Sequence, residues 1–517
     1  MYRLFSILPA FLSWSTLGAV VFFSWSAPAP TAIFIILFDV YWLCKTVYLS
    51  LHLRVAFRTM QKNMKKNWIG ELDRMMQNEK RKTKNASHRP HQTTDDVPLA
   101  MNDWRDIYHL VILPVSTEPY EVVRESLEAL DGAHYPKERI IVAMGAEERI
   151  PTSYDVVDRL HKEFGASFFR FFVTSHPRGR EGEIPGKGSN ETWIAKEVKK
   201  RIIDPAGIPY ENILVSSFDA DTRVGSEYFG ALTHVFLTCS HRQRSSFQPV
   251  PLFINNIFVA PALARVIAFS SSFWHLMQQA RPERLTTFSS HAIPFKALVE
   301  VGFWQTDIVS EDSRIFWQCF LHYNGDWRVV PLHYPVFMDA NAAPSFRKTV
   351  VNLYRQQRRW GWGCENIPYI LNGFLAAGGI RRRTKAYWLF HYIEGFHSWA
   401  TNALIIFTLG WLPIVLGGPD FRVTLLSFNL PRITRAVMTG AMIGIVSSAF
   451  LSIMALPPRP AGVGKKRLVF HVAQWLLMPI TLIVFGAFPA LDAQTRLAWG
   501  GKWRLGFWIT PKSRPKG

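Results

Sequence analysis

The 517-residue chain is 48% apolar and 14% aromatic, enough either for a large soluble core or for a division between membrane and soluble parts. Its formal net charge of +20 does not indicate nucleic acid. Arg54, Arg58, Lys62, Lys65 and Lys66 directly follow one long apolar segment and Arg381, Arg382, Arg383 and Lys385 directly precede another, which is the placement of cytoplasmic membrane flanks. Four cysteines, Cys44, Cys239, Cys319 and Cys364, lie too far apart to imply zinc or a disulfide framework.

In chain order, residues 4–25 and 31–53 are apolar stretches long enough to cross a hydrocarbon core of about 30 Å. No small-residue cleavage site separates them, so the first is not read as a secretory signal. Met64, Trp68, Leu72 and Met75 then recur at helical spacing among charges, as in a helix lying on a bilayer or packed on a soluble domain. Residues 80–102 are polar and predict a linker. Beyond them the pattern alternates: a strand over 110–115 containing Pro114, a helix over 120–130, a strand over 139–144 and another over 213–218. Such alternation predicts a parallel sheet flanked by helices. Further apolar stretches follow at 386–417, 433–456 and 468–490, with His391, Glu394 and His397 on one helix face and Asp39 inside the second stretch. Those four could line a path for a polar substrate, although an interfacial helix over 386–399 explains the first three equally well. The expected organisation is 1–55 membrane helices, 56–103 interfacial helix and linker, 104–385 catalytic domain, 386–495 membrane and interfacial helices, and 496–517 a basic tail.

Three motifs carry chemistry. Asp219 and Asp221 follow the strand over 213–218, at the carboxyl end where ligands sit in α/β sheets, and offer a carboxylate pair for a hard divalent cation, Mg²⁺ or Mn²⁺. Ser310, Glu311 and Asp312 offer a carboxylate that can accept a proton, with Arg314 nearby as an ion-pair alternative. Gln356, Arg359 and Trp360 set a cation beside a large aromatic face. Lys187 and Asn190 belong to a Gly-rich turn before a helix expected near Glu191, where an ammonium and free N–H groups could meet phosphate.

In these motifs and their order the chain resembles the membrane-bound family 2 glycosyltransferases, the group holding cellulose synthase, hyaluronan synthase and related processive enzymes. The resemblance covers residues 107–362 and the tail segment Phe507 to Lys512. It implies a cytoplasmic α/β domain of the nucleotide-diphospho-sugar transferase (GT-A) type inserted between transmembrane helices, and inverting, metal-dependent sugar transfer from a nucleotide donor. Asp312 would be the general base, and Asp219 and Asp221 the metal ligands. Donor and acceptor contacts would come from Pro114, Glu118, Glu147, Lys187, Asn190, Asp219, Gln356, Arg359, Trp360, Thr510 and Lys512. Ser310 replaces the family's Thr, and the second strand lacks the family's base-contacting Asp, for which Glu147 or Glu148 could substitute. The implied partners are a UDP-sugar, a polysaccharide or lipid acceptor and membrane lipids. Single transfer to a lipid is one alternative; a transporter or channel with an inactive transferase-like domain is another. The tail would be a lid over bound nucleotide, which requires it to be cytoplasmic, whereas two spans before the domain and three after would place it outside. Either residues 386–417 do not cross as one helix, or a late segment is re-entrant.

Overall fold

The computed structural model describes residues 1–86, 103–458, 464, 466–506 and 508–511. The chain forms two compact units, one of residues 56–252 and 281–339, the other of residues 1–55, 253–280 and 340–517.

The first unit holds the sheet. β1 (Tyr108–Pro114) and β2 (Ile140–Glu147) are near-continuous apolar runs, the pattern of strands buried on both faces. Between them the helix Tyr120–Asp131 buries Val122, Val123, Leu127 and Leu130 along one face. β3 (Arg170–His176) lies at the edge and β4 (Ile213–Ser217) on the far side of β1; these four are parallel. The rest corrects the expectation of a parallel sheet. β5 (Arg223–Val224), β6 (Ser245–Phe253), β7 (Ala292–Pro294) and β8 (Arg328–Met338) complete the order β3-β2-β1-β4-β7-β6-β8-β5, and β4–β7, β7–β6 and β8–β5 are antiparallel. Two of these strands are too short to show a period, and β6 carries Pro249 and Pro251, residues that argue against a strand.

The helix Trp68–Ala86 buries Trp68, Leu72 and Met76 in the sheet unit's core with Phe229 and Leu232. Gly230 permits the approach: a Cβ there would stand 3.0 Å from the Trp68 Cβ. Of this stripe, Trp68 and Leu72 pack in the core of the sheet unit and Met75 packs against it. The helix also absorbs residues 80–86, read above as linker, while 87–102 lie outside the described residues.

His109 on β1 is fully enclosed, its Nε2 2.8 Å from the Thr233 hydroxyl, and burial holds its pKa down at about 3. A pKa below the unfolded value near 6.5 gives stability that is fully present above pH 6.5 and is lost as pH falls toward 3, at about 1.4 kcal/mol per pH unit. Thermal unfolding followed from pH 7 to 4.5 is expected to show a smaller loss in His109→Gln than in the unmodified chain; equal slopes would contradict this assignment.

The second unit is helical. Tyr2–Ser26, Pro28–Met64, Leu425–Met454 and Val469–Trp499 are each long and apolar enough to cross a membrane. Arg382–Phe407 and Leu409–Leu416 pass together but bend by 48° at their junction. The polar face of Arg382–Phe407 is engaged within the bundle: Glu394 takes a 2.8 Å ion pair from Lys45 and a hydrogen bond from Ser398, and His397 meets the Thr16 hydroxyl at 2.9 Å. Asp39 is buried.

The unit boundaries differ from the expected 104–385 domain, since 253–280 and 340–385 join the helical unit. Phe273 stacks on Trp475 at 6.0 Å, and Gly361 brings the helix Phe346–Gly361 so close to Phe488–Trp499 that a Cβ would lie 3.2 Å from the Ala490 Cα. Phe346–Gly361 carries Gln356, Arg359 and Trp360, the motif by which the resemblance included it in the expected domain.

Candidate active site

β4 lies where the pairing changes from parallel to antiparallel, and the chain turns sharply at its carboxyl end. The Thr222 amide bonds back to the Asp219 carbonyl at 2.9 Å. This turn leaves the Asp219 side chain partly exposed and buries Asp221, whose Oδ2 accepts the Asp339 amide at 2.9 Å.

Lys187 is the first residue of the helix Lys187–Val198 and does not lie on the turn before it, which corrects the expected start near Glu191. Its Nζ stands 2.8 Å from Asp219 Oδ1, 3.0 Å from Asp312 Oδ1 and 3.5 Å from Glu191 Oε1. Asp312 sits in the first turn of the helix Glu311–His322. Three sequence-distant motifs thus meet on one buried ammonium. Burial alone would push that ammonium's pKa down, but Asp219, Asp312, Glu191 and Glu311 hold it well above the usual lysine range. Glu191, fully buried and accepting the Ser217 hydroxyl at 2.6 Å, is pushed up to about 8, by burial first and against the pull of Lys187. Glu311 is driven well up by burial and then by the neighbouring Asp312 charge.

Gly188 makes the arrangement possible. A Cβ there would fall 2.9 Å from the Glu311 Cβ and 3.3 Å from the Gln305 carbonyl. The same contact is tied by Ile184 N to Thr306 O at 2.8 Å and by the Thr192 hydroxyl to Trp304 O at 2.8 Å.

His291, just before β7, was not singled out from sequence. It is fully buried, its Nδ1–H donates to Phe288 O at 2.9 Å, and the same nitrogen lies 3.7 Å from Asp312 Oδ1. Trp304 Nε1 donates to its Nε2 at 3.4 Å, and burial keeps the ring's pKa low, so a neutral, fixed imidazole flanks Asp312. Glu191 could have been found, since it follows Lys187 by four positions on one helix. His291 could not, because only the β4–β7 pairing carries it there.

The remaining expected residues fall as follows. Pro114 ends β1, Glu118 accepts the Ser116 amide at 2.7 Å, and Glu147 ends β2, ion-paired with Arg149. Glu148 accepts the Arg178 amide at 2.7 Å. Asn190 is buried and donates to the Gly145 carbonyl at 3.0 Å, tethering its helix to β2. Gln356, Arg359 and Trp360 lie on Phe346–Gly361 in the helical unit, where Gln356 accepts from Asn341 at 3.2 Å and Trp360 packs 5.8 Å from the Phe253 ring. Arg358 there pairs with Asp492 at 2.9 Å. Thr510 is buried in the helical unit, and Lys512 lies outside the described residues.

Among the described residues no group of three or more His, Cys, Asp or Glu side chains is arranged to hold a metal ion. Of the two expected metal ligands, Asp219 is partly exposed with an oxygen on the Lys187 ammonium, where a cation is accepted, whereas Asp221 is buried with Oδ2 on the Asp339 amide.

A mixed α/β sheet with an acid cluster at the carboxyl end of its central strand, in a chain that also has long apolar helices, defines the class as a GT-A-like transferase. Residues 214–485, more than half of the chain, match the family model described as glycosyl transferase family group 2, and the chain belongs to that family. It is a glycosyltransferase. Among solved structures it is similar to the mannosyltransferase PcManGT from Pyrobaculum calidifontis in complex with GDP-Man and Mn²⁺, at 13% identity over 78% of this chain and 99% of that one, TM-score 0.41. It is also similar to residues 1–349 of S. aureus TarS, at 12% identity over 77% and 93%, TM-score 0.36, and to the same TarS fragment in complex with UDP-GlcNAc, at 12% over 68% and 93%, TM-score 0.35. No curated protein matches the chain.

Proposed function

We propose that this glycosyltransferase moves a sugar from a nucleotide-diphospho-sugar donor, a UDP-sugar, to a growing polysaccharide, inverting the anomeric centre. The observation carrying this reading is the convergence of Asp219 and Asp312 on one cation beside β4. Asp312 accepts the proton of the acceptor hydroxyl as that oxygen bonds to the anomeric carbon. The bond from that carbon to the diphosphate oxygen breaks on the opposite face, so configuration inverts and the nucleoside diphosphate leaves. The neutral His291 lies beside Asp312, 3.7 Å from its Oδ1, with its own Nδ1–H given to the Phe288 carbonyl. Asp219, with Asp221 beside it in sequence, would hold Mg²⁺ or Mn²⁺, which when bound neutralises the diphosphate charge. Arg359 pairs with diphosphate oxygens, Trp360 offers its face to an acceptor sugar, and Thr510 and Lys512 belong to a closing tail.

We read the sheet unit as cytoplasmic, on the side of the basic flanks around residues 54–66 and 381–385. With the bent segment 382–416 taken as re-entrant, two crossings precede residue 104 and two follow residue 417, which returns the tail to the cytoplasmic side.

Membranes bearing the chain, incubated with labelled nucleotide sugars and Mg²⁺ or Mn²⁺, are expected to convert one donor into polymeric label, and EDTA is expected to abolish this. Label confined to the chloroform phase would establish single transfer to a lipid instead. Incorporation from no donor would overturn the catalytic reading in favour of a transporter or channel with an inactive domain.

A further inference from the structure

The ammonium at the centre of the acid cluster has no ordinary structural reason to be there. Lys187 occupies the first position of its helix, where the helix dipole opposes a positive charge. It is 8% exposed, so it is not a solvated surface lysine. What holds it is the set of carboxylates around it: Asp219, Asp312 and Glu191 in contact range, and Glu311 behind them. Carboxylates this close and this buried repel one another strongly unless a cation lies among them. Here that cation is Lys187.

We propose that Lys187 is the resident counter-ion of this acid cluster and that it gives up Asp219 when a divalent cation enters, so that lysine and metal compete for the same carboxylate oxygens. The inference rests on the reading of Asp219 as a metal ligand. The ammonium is carried on a flexible four-carbon stem, so it can leave the carboxylates while its backbone stays fixed by the Gly188 contact. Once released it becomes available to an arriving diphosphate, whose negative charge compensates the positive charge that the exchange adds. Metal alone therefore binds weakly, and metal with the donor binds well. Lys187 thereby couples cation entry to donor entry and keeps the acid cluster neutralised between turnovers.

The test uses the purified full-length chain without any donor. Free Mn²⁺ is followed by its electron paramagnetic resonance signal during titration. Lys187→Met is expected to bind Mn²⁺ about tenfold or more tightly than the unmodified chain, because the competitor is gone, and to lose that advantage when UDP is added. Equal or weaker Mn²⁺ binding in Lys187→Met, or no binding in either protein, overturns the proposal. If Lys187→Met does not fold, the unmodified chain supplies the second measurement. Acylation of Lys187 by an amine-reactive reagent, read by peptide mass spectrometry, is expected to rise several-fold on adding Mn²⁺, and an unchanged rate overturns the proposal. Failure of the transferase reading is distinguishable, since it would appear as intact Mn²⁺ binding with no sugar transfer from any donor.

Discussion

Replacing Asp312 by Asn is expected to lower turnover by about 10³-fold while donor binding changes only a few-fold, the loss typical of removing a general base. The substitution keeps the size and hydrogen-bonding shape of the side chain at the start of Glu311–His322, so the helix and its contact with Gly188 persist. It removes the proposed proton acceptor and one of the two carboxylates within 3.0 Å of Lys187. Asp219 still holds the ammonium at 2.8 Å, and the donor side of the site is left in place. Single-turnover transfer and donor affinity, measured on the same preparation, separate the two effects. Turnover within tenfold of the unmodified enzyme would remove Asp312 from the role of base.

Gly188→Ala is expected to have the second largest effect, although on an ordinary helix it would be favourable by about 1 kcal/mol. Here the added methyl would meet the Glu311 Cβ at 2.9 Å, a part of that side chain that cannot swing away. The first turn of Lys187–Val198 or the start of Glu311–His322 must move, and each carries one member of the Lys187–Asp312 pair. Overpacking of this kind costs about 1–3 kcal/mol in stability, and misplacing reacting groups by an ångström costs about 10²-fold in rate. A lower melting temperature together with an activity loss of that order is expected. A variant with the unmodified enzyme's stability and turnover would show that the close contact does not position the site.

The neighbourhood of Asp219 was legible because strand, turn and carboxylate follow one another in the chain. The buried run from Ile213 to Ser217 reads as a strand, and Asp219 follows its carboxyl end, where ligands sit in open α/β sheets. Lys187 was legible as a residue but its surroundings were not. Its carboxylate neighbours lie 32 and 125 positions away and leave no mark in the sequence around it. The grouping of Phe346–Gly361 with the helical unit was not legible for a related reason. Its Gln356, Arg359 and Trp360 motif placed it in the expected domain, while its packing against Ala490 depends on Gly361 and on a helix more than a hundred residues further on.

By itself the sequence determined the apolar helices, the parallel start of the sheet and the identity of the acidic and basic motifs, because these follow from local periodicity and composition. Only the tertiary structure decided that β4 meets an antiparallel β7, that His291 and Glu191 join Asp312 and Lys187, and that a helix rich in charge joins the apolar unit. Those outcomes depend on contacts between residues far apart in the chain. A three-residue strand, a missing side chain at Gly188 or a single ammonium among four carboxylates leaves no periodic trace, yet each fixes geometry through close packing or through charges forced together away from water.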